Sequence, residues 1–279
     1  MRLAGLRFGH GTHNARDEAA WLLAHALRLS HEEFARSADH ELTAQEQRKV
    51  LRLTEERVRT RRPLAYLIRE AWLGDHRFYV DERVVVPRSF IAELLRERLH
   101  PWVSQPIRRG LDLCTGSGCL AVLLALAFPR AFVDATDISR AALAVARKNV
   151  RAYRLGRRVK LARADLFSGL EADRYDLIVA NPPYVNAAGM RGLPPEYRRE
   201  PRLGLAGGPD GLKLVRRILR DAARFLRPRG LLAVEIGHNR PALERAFARL
   251  PFVWPETSAG HERVFLLSRE GLLGYNRRR

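Results

Sequence analysis

Cysteine is all but missing from these 279 residues: two occur, Cys114 and Cys119, five positions apart around a glycine turn. That spacing is neither a disulfide framework nor a CxxC metal or redox pair, and both read as small packing residues. Nine histidines are scattered along the chain. His10 and His13 lie three apart without a cysteine or carboxylate cluster beside them, so no metal is expected. Long apolar runs are missing too. The longest, Leu120 to Phe128, is far below the roughly 20 residues of a spanning helix, which excludes a membrane protein of that kind. The opening Met1-Arg2-Leu3-Ala4-Gly5-Leu6-Arg7 carries positive charge but no apolar stretch of signal-peptide length, so a cytoplasmic protein is expected.

Acidic residues are also short. Asp and Glu number 31 against 50 Lys and Arg, a net charge of +19. Such a field attracts polyanions, RNA foremost, without reading a sequence. An arginine-rich composition spread along the chain is the other source of the same charge, and the Arg277-Arg278-Arg279 tail reads as a solvated end. What is abundant is apolar surface: at 46% hydrophobic residues the chain is that of a globular protein. Its length suits one large domain and a smaller one.

From about Ala15 to Arg59 apolar residues recur at helical spacing, among them Trp21, Leu22, Ala24 and Leu27. Ser30-His31-Glu32-Glu33 and Thr43-Ala44-Gln45-Glu46 both fit a capping box, so a small helical domain is expected. Phe78-Tyr79-Val80 and Val84-Val85-Val86, separated by Asp81-Glu82-Arg83, predict a hairpin. Ser89 is the candidate N-cap of a helix over Ile91–Leu99. From Gly110 onward short apolar strands alternate with helical stretches: strands over 110–114, 131–136, 159–162, 175–180, 231–236 and 264–267, helices over 119–128, 141–152, 212–226 and 241–250, with Val253 as a further strand position. This is an open α/β sheet, whose ligands bind at the carboxyl ends of its strands.

Three loops carry chemistry. Leu111-Asp112-Leu113-Cys114-Thr115-Gly116-Ser117-Gly118-Cys119-Leu120-Ala121 runs strand to glycine turn to helix, so backbone amides can approach an anionic group closely. Asp137 ends the next strand about twenty residues on, where a carboxylate can accept both hydroxyls of a ribose; the alternative is an acid placed at a helix start. Asp165-Leu166-Phe167 follows the third strand: the carboxylate can accept an adenine amino proton while Phe167 packs on the ring, or Phe167 belongs to the core. The third loop, Asn181-Pro182-Pro183-Tyr184, follows the buried strand Tyr175–Ala180. An amide or aromatic-amine nitrogen is a poor nucleophile while its lone pair is delocalised. If the Asn181 side-chain oxygen and the Pro182 carbonyl each accept one N–H, the nitrogen is fixed in attack geometry and its developing charge is stabilised. Pro183 keeps the turn rigid and Tyr184 stacks on the planar group.

Together these elements resemble class I S-adenosylmethionine-dependent methyltransferases, in the branch that methylates planar nitrogens. Pro63-Leu64-Ala65-Tyr66-Leu67, Phe78 to Ser89 (FYVDERVVVPRS), Glu200-Pro201 and Ala206-Gly207-Gly208-Pro209-Asp210-Gly211-Leu212 are similar to the HemK-type glutamine methyltransferases, over almost the whole chain. Within that family the FYVDERVVVPRS segment resembles the PrmB branch, which acts on large-subunit ribosomal protein three, rather than the PrmC branch, which modifies the GGQ glutamine of release factors. The resemblance implies a seven-stranded, mostly parallel sheet flanked by helices, a helical substrate-recognition domain over 1–72, a β-hairpin linker over 73–88 and a methyltransferase domain over 89–279. It implies S-adenosyl-L-methionine held by Asp112, Thr115, Gly116, Ser117, Gly118, Asp137, Ile138, Asp165, Phe167 and Asn181. It implies substrate binding by Asn181, Pro182, Pro183 and Tyr184, with Asn181, Pro182 and Tyr184 catalytic, and contact with ribosomal RNA through the basic surface. Cys114 and Cys119 depart from the glycine or alanine expected at those turn positions. The competing expectations are a DNA adenine methyltransferase, which needs base flipping and a DNA-reading module, and a non-enzymatic RNA-binding assembly factor on the same fold.

Overall fold

The computed structural model describes residues 4–29, 31–36 and 41–276. Its first part is helical: α1 (Ala15–Leu27), α2 (His31–Arg36), α3 (Ala44–Thr60) and α4 (Leu64–Ile68). Asn14 opens α1 by accepting the amides of Arg16 and Asp17, and Thr43 opens α3 with the expected capping box, its hydroxyl and the Glu46 carboxylate exchanging backbone amides. The other expected box begins at Ser30, outside the described residues. Trp21, Leu22, Leu53, Leu64, Tyr66 and Ile68 form the core of this part. Beneath it Arg57 is fully buried with Nε 2.7 Å from Glu18 Oε1.

The hairpin lies earlier than expected. β1 (Ala71–Leu73) and β2 (His76–Phe78) pair antiparallel around Gly74 and Asp75, and the segment over 79–90 joins no ladder among the described residues. Its alternation is real but has another cause. Val80, Val84 and Val86 are buried against the helical core, while the backbone bonds to side chains: Tyr79 N to Asn149 Oδ1 at 2.7 Å and Val86 N to Glu200 Oε1 at 2.9 Å. The helix after it, α5 (Ile91–Arg96), stops short of Leu99 because Arg98 and Leu99 take left-handed φ of 54° and 53°.

The rest alternates as the pattern requires: β3 (Arg109–Leu113), α6 (Cys119–Ala127), β4 (Phe132–Asp137), α7 (Arg140–Ala152), β5 (Val159–Arg163), β6 (Tyr175–Ala180), α8 (Ala187–Arg191), α9 (Lys213–Phe225), β7 (Leu226–Glu235), α10 (Arg240–Ala246), β8 (Val264–Ser268) and α11 (Arg269–Asn276). The strands order β5-β4-β3-β6-β7-β8, all parallel except β8. The seventh strand is reduced to one bridge, Val253 to Leu266. Pro251 and Pro255 bracket Val253 and have no N–H to extend a ladder. Every residue of β6 is buried, as a central parallel strand covered on both faces should be. Helices α5 and α6 cover one face and α9, α10 and α11 the other, while α7 also meets the helical domain through Ala142 and Val145.

Candidate active site

The strand order creates the site. From β3 the chain steps outward through β4 to β5, then returns to the opposite side of β3 for β6. The loops leaving β3 and β6 therefore part at a topological switch point on the carboxyl edge. A cavity of about 760 Å³ opens there, walled by the loops after β3, β4, β5 and β6 and closed by residues of the 83–90 and 193–206 segments.

The loop after β3 is shaped by three left-handed residues, Cys114 (φ 57°), Gly116 (φ 54°) and Gly118 (φ 79°). Cys114 thus occupies a conformation that favours glycine. Thr115 donates to Asp112 Oδ2 at 2.5 Å, and Asn149 of α7 ties the loop to the 79–90 segment by donating to both Ser117 O (2.8 Å) and Tyr79 O (3.0 Å). Asp137, at the end of β4, accepts Gly116 N at 2.9 Å and Ser139 N at 2.8 Å. Burial raises its carboxyl above the usual value and these amides oppose the rise. Asp112 is buried beneath the loop, and burial pushes its carboxyl up to about 7 against the Thr115 hydrogen bond. Its Oδ1 has no partner among the described residues.

Asn181 and Tyr184 are held from several directions. Asn181 Nδ2 donates to Arg88 O at 3.2 Å, leaving Oδ1 as the acceptor. Tyr184 O accepts from Asn239 Nδ2 at 2.7 Å. Glycines crowd the tyrosine because nothing larger fits: a Cβ at Gly207 would lie 2.7 Å from Tyr184 Cα, and one at Gly237 (φ 57°) 2.6 Å from its ring. Burial pushes the Tyr184 phenol well above its ordinary value, so it stays neutral. Two buried glutamates frame the neighbouring segment. Burial would raise the Glu200 carboxyl, but the Arg88 guanidinium beside it brings it down to about 2; Arg88 Nη2 lies 2.6 Å from Glu200 Oε2. Among the described residues no cation lies at hydrogen-bond distance from Glu235, and burial pushes it up to about 7 despite bonds from Ser89 Oγ (2.6 Å) and Phe90 N (2.9 Å).

Of the residues expected in the site, Thr115, Gly116, Ser117, Asp137, Ile138, Asp165, Asn181, Pro182, Pro183 and Tyr184 all line the cavity. Three do not. Asp112 sits under the loop and acts on it through Thr115. Gly118 packs on α7, where an added Cβ would lie 2.9 Å from Ala146 Cβ. Phe167 turns into the core, stacked on Phe225 with centroids 4.5 Å apart. Leu166, at φ 54°, takes the place at the cavity wall. Asp165 is present but engaged, forked by Arg217 at 3.0 and 2.9 Å. The sequence reading missed Arg88, Asn149, Glu235 and Gly237, whose roles depend on distant partners.

The cavity suits an adenosine-bearing cofactor. A glycine turn with close backbone access adjoins the Asp137 carboxylate, and the half-exposed Ile138 and the buried Leu166 supply apolar walls.

Comparison with known proteins adds the following. Residues 8–68 match the family described as PrmC N-terminal domain, and residues 91–192 match the Methyltransferase small domain. A ribosomal protein uL3 glutamine methyltransferase of Neisseria meningitidis serogroup A is 53% identical over 273 residues, 97% of this chain and 90% of its own. A protein of the same name from Bordetella pertussis is 52% identical over 98% of this chain and 92% of its own. Among solved structures, the hMettl16 catalytic domain in complex with MAT2A 3′UTR hairpin 6 is similar with a TM-score of 0.54 at 19% identity over 80% of each chain, a likeness of fold.

Proposed function

Because the chain belongs to the ribosomal protein uL3 glutamine methyltransferase family, we propose that it methylates the side-chain amide nitrogen of a glutamine in large-subunit ribosomal protein three, with Asn181 holding that nitrogen. The chain is an enzyme, a methyltransferase, and its methyl donor is S-adenosyl-L-methionine. Bound in the cavity, that cofactor supplies an electrophilic methyl group. The residues present fit it: Gly116 and Ser117 offer close backbone access, Asp137 would accept from the ribose hydroxyls, and Asp165, Ile138 and Leu166 would line the place of the base.

The observation that carries the substrate reading is the orientation of Asn181. Its NH2 end is committed to the Arg88 carbonyl, so Oδ1 is the end left for the cavity. With the Pro182 carbonyl it makes two acceptors for one planar NH2, which fixes the nitrogen and stabilises the charge that develops on it. Tyr184 packs on the plane of the amide. The helical domain over 1–72 then selects the protein partner, in the cytoplasm where ribosomal protein is assembled.

RNA contact is favoured by one further observation. Arg191, Arg198 and Arg202 surround a second cavity of about 390 Å³ that shares Leu193, Tyr197 and Leu205 with the first. Arginines 191, 198 and 202 are exposed, and guanidinium groups so placed suit phosphates of RNA carrying the substrate.

The test is side-by-side incubation of the enzyme and S-adenosylmethionine with purified ribosomal protein three and with release factor. Mass spectrometry should find one methyl group on a glutamine of the ribosomal protein. Methylation of the release factor alone would overturn the assignment. Asn181→Ala should lower kcat by ~10²–10³-fold while cofactor affinity holds; retained turnover would remove the acceptor role.

A further inference from the structure

We infer that Arg88 and Glu200 are positioning residues for the Asn181 amide, setting which end of it meets the substrate. This rests on the proposed role of Asn181. A side-chain amide has a donor end and an acceptor end, and a half-turn exchanges them. Only the acceptor end serves a substrate NH2. The Arg88 carbonyl decides the matter, because a carbonyl accepts and never donates: it binds Asn181 Nδ2 at 3.2 Å and leaves Oδ1 free.

That carbonyl needs a fixed place, and the segment around it belongs to no strand or helix. Glu200 supplies one anchor. Its carboxylate is fully buried and accepts Val86 N at 2.9 Å together with both ends of the Arg88 fork, Nη1 at 3.0 Å and Nη2 at 2.6 Å. Glu235 supplies the other, accepting Ser89 Oγ and Phe90 N. The Arg88 carbonyl is thus held between two buried carboxylates that lie on separate parts of the fold.

The first anchor also reaches the helical domain. His10 Nε2 lies 3.6 Å from Glu200 Oε2, and the His10 ring packs on Tyr197 with centroids 4.2 Å apart. The Arg88 guanidinium sits 5.1 Å over the same tyrosine. One turn earlier Glu196 accepts Arg7 N and Arg61 Nη1. The docking of residues 7–10 therefore bears on the carboxylate that places the catalytic amide.

Arg88→Lys keeps the charge but loses the fork, and Glu200→Gln keeps the size but replaces one acceptor oxygen with a donor. Each should lower kcat by ~10–10²-fold, the order expected when a reacting group moves by about 1 Å. Calorimetry should show S-adenosylmethionine affinity within about threefold of the parent, as expected of a residue that acts on the reacting nitrogen and not on cofactor binding. The decisive readout is the same substitution placed on Asn181→Ala: if Arg88 and Glu200 act through Asn181, the double variant is no slower than Asn181→Ala alone. An unchanged kcat in both single variants, or an equal further loss in the Asn181→Ala background, overturns the inference while leaving the Asn181 role intact. Full turnover by Asn181→Ala would overturn both. Should Glu200→Gln fail to fold, Arg88→Lys decides alone.

Discussion

Glu235 gives the protein a stability that falls as pH rises. Its carboxyl is raised from an ordinary 4.5 to about 7 in the folded protein, chiefly by burial. Between those values the folded chain keeps a proton that the unfolded chain has released, so raising the pH favours unfolding. The cost appears above 4.5, grows to about 7 and is flat beyond. At about 1.4 kcal/mol per pH unit, the decline from about pH 5 to pH 8 is about 2–3 kcal/mol. Glu200 has the opposite sign: its folded value of about 2 lies below the ordinary 4.5, so its contribution is lost only as pH falls below 4.5, outside this window. Asp112 declines in the same direction as Glu235 but is common to both proteins compared. Glu235→Gln is a neutral stand-in for the protonated form, with a side-chain oxygen still able to accept from Ser89 and Phe90. Urea unfolding of parent and variant at the two pH values should show the parent losing about 2–3 kcal/mol more than the variant, as a change in midpoint at constant m. Parallel losses would refute a buried, protonated Glu235.

Two other substitutions separate core from site. Phe167→Leu should cost about 1–2 kcal/mol of stability through the lost stacking on Phe225, yet leave cofactor affinity within about twofold; weakened binding at unchanged melting temperature would return Phe167 to the adenine. Gly237→Ala forces a methyl group against the Tyr184 ring at a left-handed φ, so turnover should fall ~10-fold or more with cofactor binding retained. Equal losses in calorimetric affinity and turnover would contradict a role confined to the tyrosine.

Most strands and helices of the α/β part were legible to within a few residues, because buried apolar runs and amphipathic spacing are written in the chain; the short helices α8 and α11 were not read, and β7 begins at Leu226, five residues before the expected start. β6 is one example: six apolar-rich positions, all buried. The hairpin was misplaced because Val80, Val84 and Val86 alternate for burial while their backbone partners are side chains far along the chain. The Gly74-Asp75 turn was a weaker signal between strands of three residues. Phe167 and Leu166 could not be told apart without knowing that Leu166 takes a left-handed φ. Arg88 and Glu200 stand 112 positions apart, a pairing that local spacing does not encode.

The ties at Glu196 bear on the order in which this chain can assemble. Arg7 meets Glu196 across 189 positions, and Arg61 meets it across 135. During synthesis the helices of the first domain leave the ribosome long before the turn that completes them. Contacts of such sequence separation form late, after the loop-closure entropy of the intervening sheet has been met. Until then the first domain has Glu18 for Arg57 but lacks the Glu196 carboxylate that Arg61 and the Arg7 amide share, so its final consolidation coincides with completion of the catalytic half.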